Sequence, residues 1–161
     1  MALLEIKVNG REYQVVVVDA TTSLLTVLRE HLHITGPKIG CETGDCGACS
    51  VLVNGQLRNA CLTNALSVRG AEIVTVEGVG GSGKLHAVQK AFYENHASQC
   101  GFCTPGMIMA SKALLDRNAN PSEMDIKEAL VGNLCRCGSY KNIINAVKSA
   151  AEKMADGGGD Q

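Results

Sequence analysis

The sequence has no tryptophan, two phenylalanines and three tyrosines, so aromatic residues make up only 3% of its 161 positions. Its core therefore has to be aliphatic, and small for each half of the chain. An excess of either charge is missing too: 15 basic residues face 16 acidic ones, for a formal net charge of −1. With no basic block standing out, a nucleic-acid grip or a polybasic membrane patch is disfavoured. Long hydrophobic runs are also absent. The longest strongly apolar stretch, Val15 to Val18, falls far short of the ~20 residues a bilayer span needs. The N-terminal residues MALLEIKVNG show no basic leader and no twin-arginine pair, so a soluble cytoplasmic protein with no membrane span is expected.

Cysteine, by contrast, is abundant. Eight occur in a chain that is 45% hydrophobic and 19% charged, a composition of globular rather than disordered proteins. In a reducing compartment eight thiols point to metal binding or redox chemistry rather than to disulfides. A small core with many cysteines also implies that metal supplies part of the folding energy.

The first half reads as strands around one helix. Leu4, Ile6 and Val8 alternate, Asn9-Gly10 signals a two-residue hairpin, and a second strand runs through Tyr13, Val15 and Val17. Thr21, Thr22 or Ser23 can cap a helix bearing Leu24, Leu25, Leu28 and Leu32, which Gly36-Pro37 ends. After a glycine-rich stretch from Gly40 to Gly47 come a strand at Ser50 to Val53, an Asn54-Gly55 turn and a strand at Glu72 to Glu77. Residues 78–84, GVGGSGK, read as a linker between a domain at 1–77 and a helical domain at 85–161. In the helical part, Leu85, Val88 and Phe92 form one stripe, and Thr104 as cap with Pro105 in the first turn opens a helix with Met107, Ile108, Leu114 and Leu115. Ser122 with Asp125 makes a capping box, and Ile143, Ile144, Val147, Ala151 and Met154 mark a last helix. Four short helices with short connections predict a small bundle, and the end, DGGGDQ, reads as a mobile tail.

The cysteines fall into two quartets that respect this boundary. Cys41, Cys46, Cys49 and Cys61 give C-x₄-C-x₂-C and a more distant fourth, the plant-type spacing of a [2Fe–2S] cluster. Zinc sites favour C-x₂₋₄-C pairs and fit this glycine-laced triplet poorly. Gly40, Gly44 and Gly47 let the loop bring N–H groups close to the sulfurs. The second quartet, Cys100, Cys103, Cys135 and Cys137, is C-x₂-C and later C-x-C. Each pair precedes a helix start, and helix N-termini favour an anionic cluster. On spacing alone zinc stays open as its metal. His31, His33, His86 and His96 lie in or beside helical stripes and suit surface or packing roles.

Taken together, GCETGDCGACSVLVNG, NACL, QCGFCTPGMIM and GNLCRC closely resemble the two-cluster iron–sulfur subunit of the xanthine oxidase family of molybdenum hydroxylases, over roughly residues 3–155. That family includes aldehyde oxidoreductases, carbon monoxide dehydrogenase and N-heterocycle dehydrogenases. The resemblance implies an α+β chain, with an N-terminal β-grasp, plant-ferredoxin-like domain followed by a C-terminal four-helix domain. One [2Fe–2S] cluster would sit in each, with the eight cysteines as ligands. It further implies an oxidoreductase complex in which a large subunit holds molybdopterin and molybdenum, and a medium subunit holds FAD unless another acceptor replaces it. Assembly as a dimer of heterotrimers would follow. Gln99 and Cys137 match the family positions that approach the pterin of the partner. After Cys137 many members continue Thr-Gly-Tyr, whereas this chain has Gly138, Ser139 and Tyr140, which leaves the branch of the family and the substrate open.

Two other motifs point elsewhere, and weakly. Gly78 to Lys84 fits most of a phosphate-binding loop, but Leu85 stands where Ser or Thr must hold Mg²⁺. Cys100-Gly-Phe-Cys103 matches a thioredoxin-type dithiol, yet a helix precedes it and two further cysteines are left over. The rival reading of the whole is a freestanding two-cluster ferredoxin. Near-neutral charge favours permanent assembly over a diffusible carrier that docks by electrostatic steering.

Overall fold

The computed structural model describes residues 1–81 and 83–157. Five strands form one mixed sheet in the order β2-β1-β5-β3-β4: β1 (Ala2–Val8), β2 (Arg11–Val17), β3 (Ser50–Val53), β4 (Gln56–Asn59) and β5 (Glu72–Val74). The hairpin β1–β2 is antiparallel, with Leu4 opposite Val15 and Val8 opposite Arg11. Asn9 and Gly10 both take positive φ, as a tight two-residue turn requires. β5 runs parallel to β1 and antiparallel to β3, and it brings the two hairpins into one sheet. On one face Leu4, Ile6, Val8, Val15, Val17, Val51 and Ile73 meet Leu24, Leu25, Val27 and Leu28 of the crossing helix. That arrangement, a sheet gripping one helix, is the β-grasp expected.

The crossing helix is shorter than its leucine stripe predicts. α1 (Leu24–Thr26), capped by the Ser23 hydroxyl, widens at once into a π turn over Val27–His31. Leu32 N–H reaches back to Val27 O, and His33 leaves the helix at φ +56°. Gly36 is therefore not a helix stop; its N–H donates to Glu77 Oε1 at 2.6 Å. The strand expected over Glu72 to Glu77 also stops early, at Val74. The Asn9 side chain accepts the Thr75 N–H and donates to the Thr75 hydroxyl, and the chain turns through a 3₁₀ segment at Val76–Gly78. The short strand β4 lay hidden because QLRN is polar and sits on the sheet edge, where alternation is weak.

Four helices make the second half: α2 (Ala87–Glu94), α3 (Thr104–Arg117), α4 (Glu123–Ala129) and α5 (Tyr140–Ala155). Pro105 sits in the first turn of α3, but the cap is Cys103, because Thr104 is already the first helical residue and bonds through its hydroxyl to Ser98 instead; the Ser122–Asp125 capping box starts α4. Leu85 lies outside α2 and is exposed, because His86 is the cap. Val88, Phe92, Met107, Leu114, Ile126, Ile143 and Val147 are buried together in an aliphatic core. Leu52 of β3 belongs to that same core, while its neighbour Val51 faces the sheet's own. β3 is thus sandwiched between two cores, which explains its run Ser-Val-Leu-Val in place of alternation. The expected tail falls mostly on residues 158–161, outside the described residues. No helix among the described residues is long and apolar enough to cross a membrane.

Candidate metal centres

Cys41, Cys46 and Cys49 lie on the loop entering β3, and Cys61 follows the end of β4. The loop curls because Glu42, Gly44 and Gly47 all take left-handed φ, at +57°, +86° and +67°. Glycine adopts that conformation at little cost and glutamate does not; nothing in the sequence marks Glu42 for it. The curl aims the N–H groups of Thr43 and Cys46 at Cys41 Sγ, each at 3.4 Å. Asn59 Nδ2 donates to Gly44 O at 2.8 Å and ties the loop to β4. The Thr43 hydroxyl and N–H, with the Cys46 N–H, hold the Cys41 thiol down to about 6. Deeper in, Cys49 and Cys61 lie within hydrogen-bond reach of each other, and burial followed by these neighbouring sulfurs pushes Cys49 up to about 11.

The second quartet assembles between two helix starts. Cys103 is the N-cap residue of α3, and Cys135 and Cys137 lead into α5, whose N-cap is Ser139. The cysteines pair across the motifs: Cys100 faces Cys137, and Cys103 faces Cys135. Burial, then Cys135 and Cys100 nearby, drives Cys103 up to about 12. The Phe102 N–H, then Cys137, lowers Cys100. For Cys135 burial acts upward, but the N–H groups of Ser139, Cys137 and Gly138, with Cys103, together outweigh it and lower the thiol. The Tyr140 hydroxyl accepts the Cys135 N–H at 2.8 Å and fixes the turn.

The two quartets meet. Leu134 N–H donates to Cys46 O at 2.9 Å, so a cysteine of one loop is hydrogen-bonded to the neighbour of Cys135 in the other. Asn133, 4% exposed, donates its amide to Gly47 O at 3.0 Å and to Ser50 Oγ at 3.4 Å. A Cβ on Gly47 would collide with Gly132 O and with Asn133. A largely apolar cavity of about 380 Å³ opens at this junction, lined by Cys46, Cys100, Cys103, Cys135, Phe102 and Leu134 among others. The GNLCRC motif carries these junction residues, although in the sequence only its cysteines signal chemistry.

All eight cysteines are free of disulfides. Each quartet holds two neighbouring pairs, 41 with 46 and 49 with 61, then 100 with 137 and 103 with 135. A [2Fe–2S] cluster needs two thiolates on each of two irons, so this donor set fits it. A tetrahedral zinc needs convergence on one point. Donor N–H groups around the sulfurs suit the net charge of about −2 on an oxidised cluster. The crosswise pairing gives Cys100 and Cys103 each a partner from the C-x-C pair, which a two-cysteine dithiol site would not need. The phosphate-loop reading fails because α2 starts beyond Lys84, at Ala87, and His86 Nδ1 already accepts the Val88 N–H. Gln99 lies exposed in the loop before α3, beside exposed Cys100; Cys137 is exposed as well.

The chain matches the 2Fe-2S iron-sulfur cluster binding domain family over residues 6–70 and the [2Fe-2S] binding domain family over residues 75–148. It is 46% identical to the aldehyde oxidoreductase iron-sulfur-binding subunit PaoA of Escherichia coli, over 94% of this chain and 72% of that protein. The nicotine 6-hydroxylase small subunit of Paenarthrobacter nicotinovorans is 43% identical, over 97% of this chain and 93% of its own length. Among solved structures, the aldehyde oxidoreductase of Desulfovibrio gigas superposes with a TM-score of 0.92 at 45% identity, covering 98% of this chain but only 18% of that one. Quinoline 2-oxidoreductase from Pseudomonas putida 86 gives 0.88 at 40% identity, with 97% of both chains covered. The same two-domain unit thus occurs within a long polypeptide and as a chain of its own. Two cluster folds in tandem, two cysteine quartets in contact and these relatives lead to one assignment: the chain belongs to the iron–sulfur electron-transfer components of the xanthine oxidase family of molybdenum hydroxylases.

Proposed function

We propose that this chain is the relay subunit of a cytoplasmic molybdenum hydroxylase, taking electrons from a large molybdopterin-binding subunit and passing them to FAD on a medium subunit or to another acceptor. Cys41, Cys46, Cys49 and Cys61 hold one [2Fe–2S] cluster, and Cys100, Cys103, Cys135 and Cys137 the other. When bound, the clusters supply one-electron carriers. The observation that carries the reading is the Leu134 N–H to Cys46 O bond, which ties the two ligand loops to each other. The protein's part is distance, hydrogen bonding to sulfur and exclusion of water. Residues 1–77 and 85–161 act as the two cluster domains on either side of the 78–84 segment.

The helical quartet faces the large subunit in this reading. Its surroundings are exposed and apolar: Phe102 is 48% and Leu134 56% accessible, beside exposed Cys100 and Cys137. Apolar side chains around a redox centre are the kind a permanent partner covers. Gln99 and Cys137 approach the pterin, where the Gln99 amide can both donate and accept. Assembly as a dimer of heterotrimers completes the proposal.

The test is the native complex. Size exclusion with mass analysis of the co-purifying chains should return a large molybdenum-containing partner, and iron analysis about four irons per copy of this chain. A lone chain carrying both clusters would instead support a freestanding ferredoxin. In the complex, Gln99→Ala should keep both clusters and slow reduction of the helical-domain cluster by substrate in rapid-freeze spectroscopy. A variant matching wild type in every phase removes Gln99 from the proposal.

A further inference from the structure

Ser139 is buried, with 6% of its surface accessible, yet its hydroxyl has no hydrogen-bond partner. Among the described residues the one other buried side-chain polar atom in that state is Arg29 Nε, and Arg29 still donates through its guanidinium to the carbonyls of Thr35 and Pro37. A hydroxyl enclosed without an acceptor costs free energy, so natural proteins rarely leave one. The place of this one is informative. Gly138, at φ +76°, turns the chain just ahead of it, and the Ser139 N–H itself donates to Cys135 Sγ. The N and Oγ of a serine are only three bonds apart. Rotation about χ1 is thus the freedom by which the hydroxyl can find an acceptor on the side that its own N–H faces.

We propose that the Ser139 hydroxyl donates a hydrogen bond to a sulfur of the helical-domain cluster and raises that cluster's reduction potential. The proposal rests on the reading that Cys100, Cys103, Cys135 and Cys137 hold a cluster, which supplies the acceptor that the protein atoms lack. Reduction adds negative charge to the cluster, and a donor aimed at sulfur stabilises the reduced form more than the oxidised one. Ser139 is a positioning and tuning residue here, not an iron ligand. It also occupies the segment where the chain departs from Thr-Gly-Tyr.

The experiment is a redox titration of the full chain with both clusters loaded, followed by paramagnetic resonance so that each cluster is read separately. Ser139→Ala should lower the midpoint of the helical-domain cluster by the equivalent of about three- to tenfold in its one-electron constant, the range of one hydrogen bond. The ferredoxin-like cluster should not move. Ser139→Thr and Ser139→Val form an isosteric pair that separates the hydroxyl from packing: Thr should hold the wild-type midpoint and Val should fall with Ala. Equal midpoints for Thr and Val, with both clusters present, overturn the proposal even if Ala fails to load its cluster. Absence of a second cluster from the wild-type chain would overturn the metal assignment instead, and iron content distinguishes the two failures.

Discussion

The two halves of the molecule solve one problem with different parts. In the sheet half, three of four cysteines ride on a single loop whose curl depends on left-handed residues at 42, 44 and 47. In the helical half, four cysteines come from two separate segments, and helix starts replace the curled loop. Yet both quartets share a pattern. Each holds one thiol that burial drives far up, Cys49 to about 11 and Cys103 to about 12, and at least one that N–H donors pull down. At Cys41 and Cys100 the donors gather on accessible sulfurs, whereas buried Cys135 gathers them from the turn that leads into α5. Two unrelated backbones thus each combine a thiol held up by burial with thiols held down by N–H donors.

The strongest way to break the comparison is to remove one sulfur from each half. Cys46→Ser should cost the sheet-side cluster and Cys103→Ser the helical one, each variant retaining about two of four irons. Iron and acid-labile sulfide content, with the paramagnetic spectrum of the reduced protein, checks this. Loss of both signals in either folded variant would show that the halves are not independent.

Next in size is the seam between them. Gly47 combines φ +67° with contacts that leave no room for a Cβ, and on the other side a Cβ on Gly106 would strike Gly47 O. Gly10, at φ +82°, has nothing within 4 Å of where its Cβ would lie. Gly10→Ala should therefore cost about 1–2 kcal/mol, the strain of the left-handed backbone alone. Gly47→Ala adds overpacking of about 1–3 kcal/mol, and it should also alter the magnetic coupling between the reduced clusters. Gly106→Ala should show the overpacking without the backbone strain. Thermal melts of the three variants give the order, and equal losses at Gly10 and Gly47 would mean that the seam yields easily.

How much of this was legible depended on whether the signal was local. The Asn-Gly turn at 9–10, the Ser122–Asp125 box and the first-turn Pro105 are short-range devices that appear where the sequence puts them, although the cap before Pro105 is Cys103 and not Thr104. The failures came where distant residues override local preference. α1 breaks into a π turn despite an unbroken leucine stripe, and β5 ends at Val74 because Asn9 claims Thr75 across 66 positions. Asn133 was invisible for the same reason, since this polar residue gains its role from a carbonyl 86 positions away. Pairing of the cysteines inside each quartet also needed coordinates, since spacing alone does not say which sulfurs are neighbours.

The smallest effects distinguish two capping boxes that look alike in geometry and differ in chemistry. At α4 the Ser122 hydroxyl accepts the Asp125 N–H at 3.2 Å, and Ser122→Ala should cost about 1 kcal/mol. At α2 the acceptor is His86 Nδ1, which takes the Val88 N–H at 3.2 Å, while the Gln89 side chain accepts the His86 N–H and donates to Val76 O. An imidazole serves as acceptor only while that nitrogen is unprotonated. Burial first, then the positive charge of Lys112, lowers the His86 pKa, with Asp116 opposing. The unfolded chain, with an ordinary histidine near about 6.5, therefore binds more protons in acid than the folded one does. The His86 contribution is present in full above that value and is lost as pH falls below it. Its ceiling is the worth of one cap, about 0.5–2 kcal/mol. His86→Ser should keep an acceptor at the start of α2 and flatten the stability profile between about pH 5 and 7, whereas wild type should slope downward towards acid. Chemical denaturation across that range measures the slope, and parallel profiles for the two proteins would show that His86 does not carry it.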